Sequence, residues 1–261
     1  MSKKQFCFNA PDLSDSLVAW FRTPAGQFLL EQEWDCLEGL LGHLFGYHLI
    51  QVGQLGQQER HLTASKIRSQ VLLDTARLRP ASDLSLSYIR CRLDLLPVVS
   101  DTIDVAILPH TLDFSAEPHQ VLREVDRVLI AEGRVLITAF NPWSLWGLWR
   151  LFHMRSGKVP WCGQFVSPSR VLDWLSLLGF EVEKKRPLMF RPPFNHRGLM
   201  RRLSRLDSWG RRFWPLFSGV YVIQAVKRVT PLTPRRAAWK LRTRGISNQV
   251  AEPSARSSNR G

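Results

Sequence analysis

The sequence has no Cys-x-x-Cys pair. Its four cysteines, Cys7, Cys36, Cys91 and Cys162, stand far apart in 261 residues. That spacing excludes a structural zinc knuckle and a disulfide-stapled miniprotein, and it fits reduced thiols in a cytoplasm. No run approaches the ~20 uninterrupted apolar residues of a membrane-spanning helix. The first five residues lead into no signal-peptide apolar core, so a cytoplasmic location is expected. There is no Gly-x-Ser-x-Gly elbow and no Walker lysine loop, and no metalloprotease glutamate motif joins His43 to His48. Serine-hydrolase, P-loop and zinc-protease chemistries are therefore disfavoured, and no metal is expected.

Acids are scarce at one end. Residues 184–261 carry 19 Lys/Arg against Asp207 and Glu252 alone, whereas the first 183 residues have a net charge of −3. An acidic to neutral body with a strongly basic C-terminal third is drawn to polyanions, either RNA or an anionic membrane surface. Residues 229–261 hold too few apolar side chains to offset ordering entropy, so a disordered basic tail is expected there. Within 184–218, Leu199, Leu203, Leu206 and Phe213 recur at helical spacing with arginines between them, which reads as a basic helical insertion. Its arginine face has three readings: solvated, RNA-binding, or lying on a membrane.

What is present in the body alternates. Phe28–Phe45 has apolar residues at three- and four-residue steps and reads as a helix, placing an N-terminal helical segment over 1–46. The apolar run Tyr47–Val52 stops at Gly53 and reads as a buried strand; Gln70–Asp74, Ile103–Leu108 and Arg134–Phe140 read likewise. Helical connections are expected over Gln57–Ser65, from Pro118 to a stop at Gly133, and from Ser167-Pro168 to Gly179. Two late strands are expected around Phe180–Glu183 and Gly219–Val226. This order predicts an α/β fold over 47–228, a doubly wound, mostly parallel sheet of the Rossmann-like kind. Ligands in such folds bind beyond the carboxyl ends of the strands.

The passage from Leu93-Asp-Leu-Leu-Pro97 through Ser100-Asp-Thr-Ile-Asp104, then Leu122–Leu129 and Glu132–Ile137, resembles the class I S-adenosylmethionine-dependent methyltransferases, in the branch called methyltransferase type 11. The resemblance implies S-adenosylmethionine as cofactor and methyl transfer to an acceptor it leaves unidentified. It implies a glycine loop at Gln51-Val-Gly53-Gln-Leu-Gly56, where the family usually has an acid in place of Gln51 and a further glycine near Leu55. Asp74, 21 positions after Gly53, takes the place of a ribose-binding acid. Asp94, Leu95 and Pro109 fall in the remaining cofactor-contacting positions, although the family's usual acid stands where this chain has Arg92.

On the acceptor side, His110 follows the fourth strand and is the candidate general base, since an imidazole titrates near neutrality; a bond to backbone is its plainer use. Asp113, Asn141, Trp143 and Trp146 are the candidate substrate contacts. Asn141-Pro142-Trp143 is similar to the Asn-Pro-Pro-aromatic motif of amino-methyltransferases but stands after a different strand. The Trp143, Trp146, Trp149 series reads either as a buried helix or as an apolar lid over a greasy acceptor, which would make the protein membrane-peripheral. A methyltransferase is thus expected. The competing expectation is an inactive methyltransferase fold that uses its basic region for binding or regulation.

Overall fold

The computed structural model describes residues 13–55, 60–75 and 86–229. Among the described residues two helices come first, α1 (Leu13–Phe21) and α2 (Pro24–Leu41). Thr23 opens α2: its hydroxyl accepts the Gly26 N–H, and Pro24 follows where a missing N–H costs nothing. The helix therefore starts before Phe28 and ends before Phe45, four residues early at each end.

The chain then builds a seven-stranded sheet: β1 (His48–Val52), β2 (Ser69–Asp74), β3 (Ser87–Arg90), β4 (Ile103–Pro109), β5 (Leu129–Phe140), β6 (Phe180–Leu188) and β7 (Val220–Lys227), in the spatial order β3-β2-β1-β4-β5-β7-β6. All neighbouring pairs are parallel except β5–β7 and β6–β7. The helices between strands are α3 (Thr111–Phe114), α4 (Pro118–Val128), α5 (Leu145–His153), α6 (Pro168–Leu177), α7 (Arg197–Arg202) and α8 (Ser204–Phe213). Of the expected helical connection after β1, the described part is one short 3-10 turn, Arg60–Ala64.

Period-two alternation divides the core. Leu49, Val105, Ile107, Leu136 and Val222 face α2 and α5, while Ile50, Ala106, Leu108, Ile137 and Ile223 face α4 and α6. Both faces are covered, as a parallel sheet requires.

Three expected boundaries move. α4 stops at Val128, not at Gly133: Leu129 is already extended and pairs with Ile103, so Gly133 lies inside β5. β6 runs on to Leu188 because 184–188 pair with β7, which leaves the insertion to begin at Met189. The insertion carries two helices that part at Leu203, not one. The expected tail lies, Val229 apart, outside the described residues, as does Gly56.

Cys36 and Cys91 are free thiols, whereas Cys162 is disulfide-bonded, contrary to the expectation of reduced thiols throughout. Among the described residues no helix is long and apolar enough to cross a membrane.

Candidate functional site

The strand order reverses between β1 and β4, so the turns after these two strands diverge and leave a crevice at their carboxyl ends. A cavity of about 430 Å³ opens there. Gly53 and Gln54 line it after β1, Asp74 and Thr75 after β2, Arg92 to Asp94 after β3, and Pro109 to Thr111 after β4; Leu13, Ser14 and Leu17 of α1 wall the remaining side. A second hollow of about 580 Å³ lies between α2, β6 and α8 and shares no residue with the first. It contains none of the residues expected to bind cofactor.

Gly53 has φ +95°, which side chains disfavour, and a Cβ there would stand 3.1 Å from Thr111 Oγ1. The Thr111 hydroxyl in turn donates to the Val52 carbonyl, tying the β1 and β4 turns together. Beneath this turn Gln51 is fully buried and faces away from the cavity. Its amide donates to the Gly53 carbonyl at 2.9 Å, and its Oε1 meets His61 Nε2 at 2.8 Å. Burial pushes His61 down to about 3, so the ring is neutral and donates to Gln51. A carboxylate in place of Gln51 would have no proton to offer the Gly53 carbonyl. The departure from the family's usual acid is thus built into a neutral Gln–His pair, and His61 went unnoticed because it lies outside any recognisable pattern.

Asp74 ends β2 and is nearly buried. The Thr75 N–H donates to its Oδ1 at 2.6 Å, and the Ser14 hydroxyl reaches both carboxylate oxygens, at 2.9 and 3.1 Å. Asp94 also lines the cavity, but it is paired with Arg92 at 2.6 Å. The Arg92 bond holds its carboxyl below the usual range. Leu95 does not line the cavity and is 65% exposed. Pro109 lines it directly.

His110 sits at the cavity edge in a left-handed backbone conformation, φ 52°, with its ring stacked on Phe140 at 4.2 Å. Nε2 lies 2.7 Å from Glu33 Oε1 of α2, and Nδ1 lies 3.0 Å from Asp113 Oδ2. Burial opposes the charged ring, but the two carboxylates outweigh it and raise His110 to about 9. The ring is an imidazolium with both N–H groups donated, so it offers no lone pair to a substrate. Asp113 is wholly buried behind it, accepts the Phe140 N–H at 2.8 Å, and is pushed upward by burial. Glu33 was missed because an acid in an amphipathic helix reads as a solvated position.

The remaining acceptor candidates stand apart from the cavity. Asn141 gives Nδ2 to the Leu216 carbonyl at 2.7 Å and takes the Trp143 N–H on Oδ1, so its side chain is consumed by backbone. Trp146 is 1% exposed, packs against Phe140 and donates to the Arg191 carbonyl at 2.7 Å. It is core rather than lid. Trp143 is 71% exposed and faces outward. Of the twelve expected site residues, the structure brings Gly53, Asp74, Asp94, Pro109 and His110 together at one cavity.

A family profile described as "Methyltransferase domain" matches residues 42–137. An Escherichia coli (strain K12) relative, described as "Uncharacterized protein YafS", is 31% identical over 218 residues, covering 81% of this chain and 84% of its own. Among solved structures, an S-adenosylmethionine-dependent methyltransferase from Thermotoga maritima superposes with TM-score 0.58 at 18% identity, over 80% of this chain and 94% of that one. The geranyl diphosphate C-methyltransferase of Streptomyces coelicolor, solved with S-adenosyl-L-homocysteine, gives TM-score 0.53 at 14% identity, over 86% and 88%. At such identities the structural likeness concerns the fold.

Proposed function

The chain belongs to the class I S-adenosylmethionine-dependent methyltransferase family, and we propose that it catalyses methyl transfer from this cofactor with the β1–β4 crevice as its binding site. One observation carries the reading: the Asp74 carboxylate faces the cavity beside the bare backbone of Gly53, and it already receives a hydroxyl, that of Ser14, on both oxygens. A carboxylate so placed would receive ribose hydroxyls in the same way. The residues therefore fit a nucleoside cofactor: an acid for the diol, a glycine where a side chain would stand against Thr111, and a cavity of adequate size.

When bound, S-adenosylmethionine supplies a methyl group on a sulfonium, ready for in-line displacement without a metal. The chain's own tasks are to hold, to orient and to exclude water. Gly53 and Pro109 give backbone approach from β1 and β4, while Leu13 and Leu17 cover the cavity from α1. His110 acts as a positioning residue. Its imidazolium joins Glu33 of α2 to Asp113 of α3 and fixes the rim where β4 ends. A proton-abstracting role would need one of those bonds to break.

Calorimetry with S-adenosylmethionine and its demethylated product tests the reading. Binding is expected in the wild type, and Asp74→Ala should weaken it about 10- to 100-fold, the worth of one or two hydrogen bonds to a charged group. Transfer of labelled methyl into fractionated cell extract then reveals the acceptor. Binding without transfer to any fraction would favour the regulatory alternative; no heat at millimolar cofactor would refute the assignment of the crevice.

A further inference from the structure

The insertion between β6 and β7 leaves an apolar surface outside the cavity. On the β5–α5 side, Trp143, Leu148 and Phe152 are 71, 52 and 75% exposed. On the insertion, Trp214, Leu216 and Phe217 are 60, 79 and 58% exposed. The two sets are joined through Asn141. Asn141 clamps the Leu216 carbonyl with its amide and the Trp143 N–H with its carbonyl, which fixes the 3-10 turn Pro215–Phe217 against the start of α5. Trp146 anchors the insertion's other end through the Arg191 carbonyl. A side chain that bonds two backbone segments in this way holds a preformed surface, because the groups that would let it collapse inward are already used.

The exposed charge on the insertion has one sign. Arg201, Arg202, Arg205 and Arg212 on α7 and α8 are exposed and form no ion pair among the described residues. The insertion's single acid, Asp207, is buried and turned inward: Arg191 Nε lies 2.7 Å from it, and Gln32 and the Phe190 N–H bond it as well. Its charge therefore does not offset the outer arginines.

We infer that this face, formed by α5 and the α7–α8 insertion, docks onto an anionic lipid bilayer, with the apolar side chains entering the headgroup–acyl boundary and the arginines meeting lipid phosphates. The side-chain chemistry selects a membrane over RNA. Bases stack on aromatic faces and phosphates pair with arginine, but exposed leucines such as Leu148 and Leu216 gain nothing from either, whereas they gain from acyl chains. Tryptophans beside them suit the bilayer interface, where one end is apolar and the other wet. With no described helix able to span, the mode is lying on the surface rather than crossing it.

Flotation of the full-length protein with phosphatidylcholine–phosphatidylglycerol vesicles, against pure phosphatidylcholine vesicles and against a polyuridine column, tests the inference. The wild type should float with the anionic vesicles and lose most of that binding at high salt. The pair Leu216→Ser and Phe217→Ser should reduce vesicle binding at least tenfold, and Arg201→Gln with Arg202→Gln and Arg205→Gln should do the same. Both variants should keep the wild type's circular-dichroism spectrum and urea-unfolding midpoint, which shows that they are folded. Flotation unchanged by the serine pair would mean that charge alone, including that of the C-terminal residues, makes the contact, and would overturn the inference. Retention on polyuridine without flotation would overturn it in favour of nucleic acid. The outcome does not depend on methyl transfer, so its failure leaves the function proposed above untouched.

Discussion

Glu33 and His110, 77 positions apart in the chain, meet at 2.7 Å inside the protein, and neither is more than 2% exposed. The contact welds α2 to the end of β4, beside the crevice. It also makes a histidine that sequence reading casts as a base into a fixed cation.

That cation sets a pH dependence. The His110 pKa is raised from an unfolded value near 6.5 to about 9, so its stabilising contribution is complete below ~6.5 and is lost as pH rises through about 9. Stability followed by urea unfolding should therefore fall between about pH 7 and pH 9 in the wild type. Glu33→Gln should flatten that fall and cost on the order of 3 kcal/mol at neutral pH, as expected when one partner of a buried pair is removed. Activity should show no rise through pH 6.5 that vanishes with His110→Asn. Such a limb would restore the imidazole as a base.

Ser14 occupies the oxygens that the proposed ribose contact needs. Ser14→Ala removes a competitor worth about 1 kcal/mol, so S-adenosylmethionine should bind roughly fivefold tighter. Calorimetry on the variant decides it, and weaker binding would mean that the hydroxyl helps hold the cofactor instead.

Gln51→Glu would restore the acid usual in the family and should nonetheless do harm. The new carboxylate would face the Gly53 carbonyl at the position where an amide now donates, and its charge would be buried beside a neutral His61. We expect a loss of about 2 to 4 kcal/mol in thermal or urea unfolding. A Gln51→Glu protein as stable as the wild type, with His61 still neutral by NMR, would refute the account of the loop.

The run by which the sequence resembles its family has a mechanical basis. Glu124 accepts the Leu96 N–H, and Arg127, paired with Glu124, donates to the Leu96 and Val98 carbonyls. The residues of α4 thus hold the Leu93–Ser100 passage in place. A motif kept by contacts between nearby segments is readable as a string, and so were the apolar runs of β1 and β4, the Ser167–Pro168 helix start and Asp74 at its strand end.

Period, capping residues, composition and short motifs are local properties of a chain, so the α/β layering, the strand-end acid, the family and the basic third are legible in residue order. The roles of His110, Gln51, Asn141 and Trp146 come from packing. Their partners, Glu33, His61, Leu216 and Arg191, lie 10 to 77 positions away. A polar side chain's chemistry is set by which groups surround it and how much water they exclude, and neither is written in its neighbours along the chain.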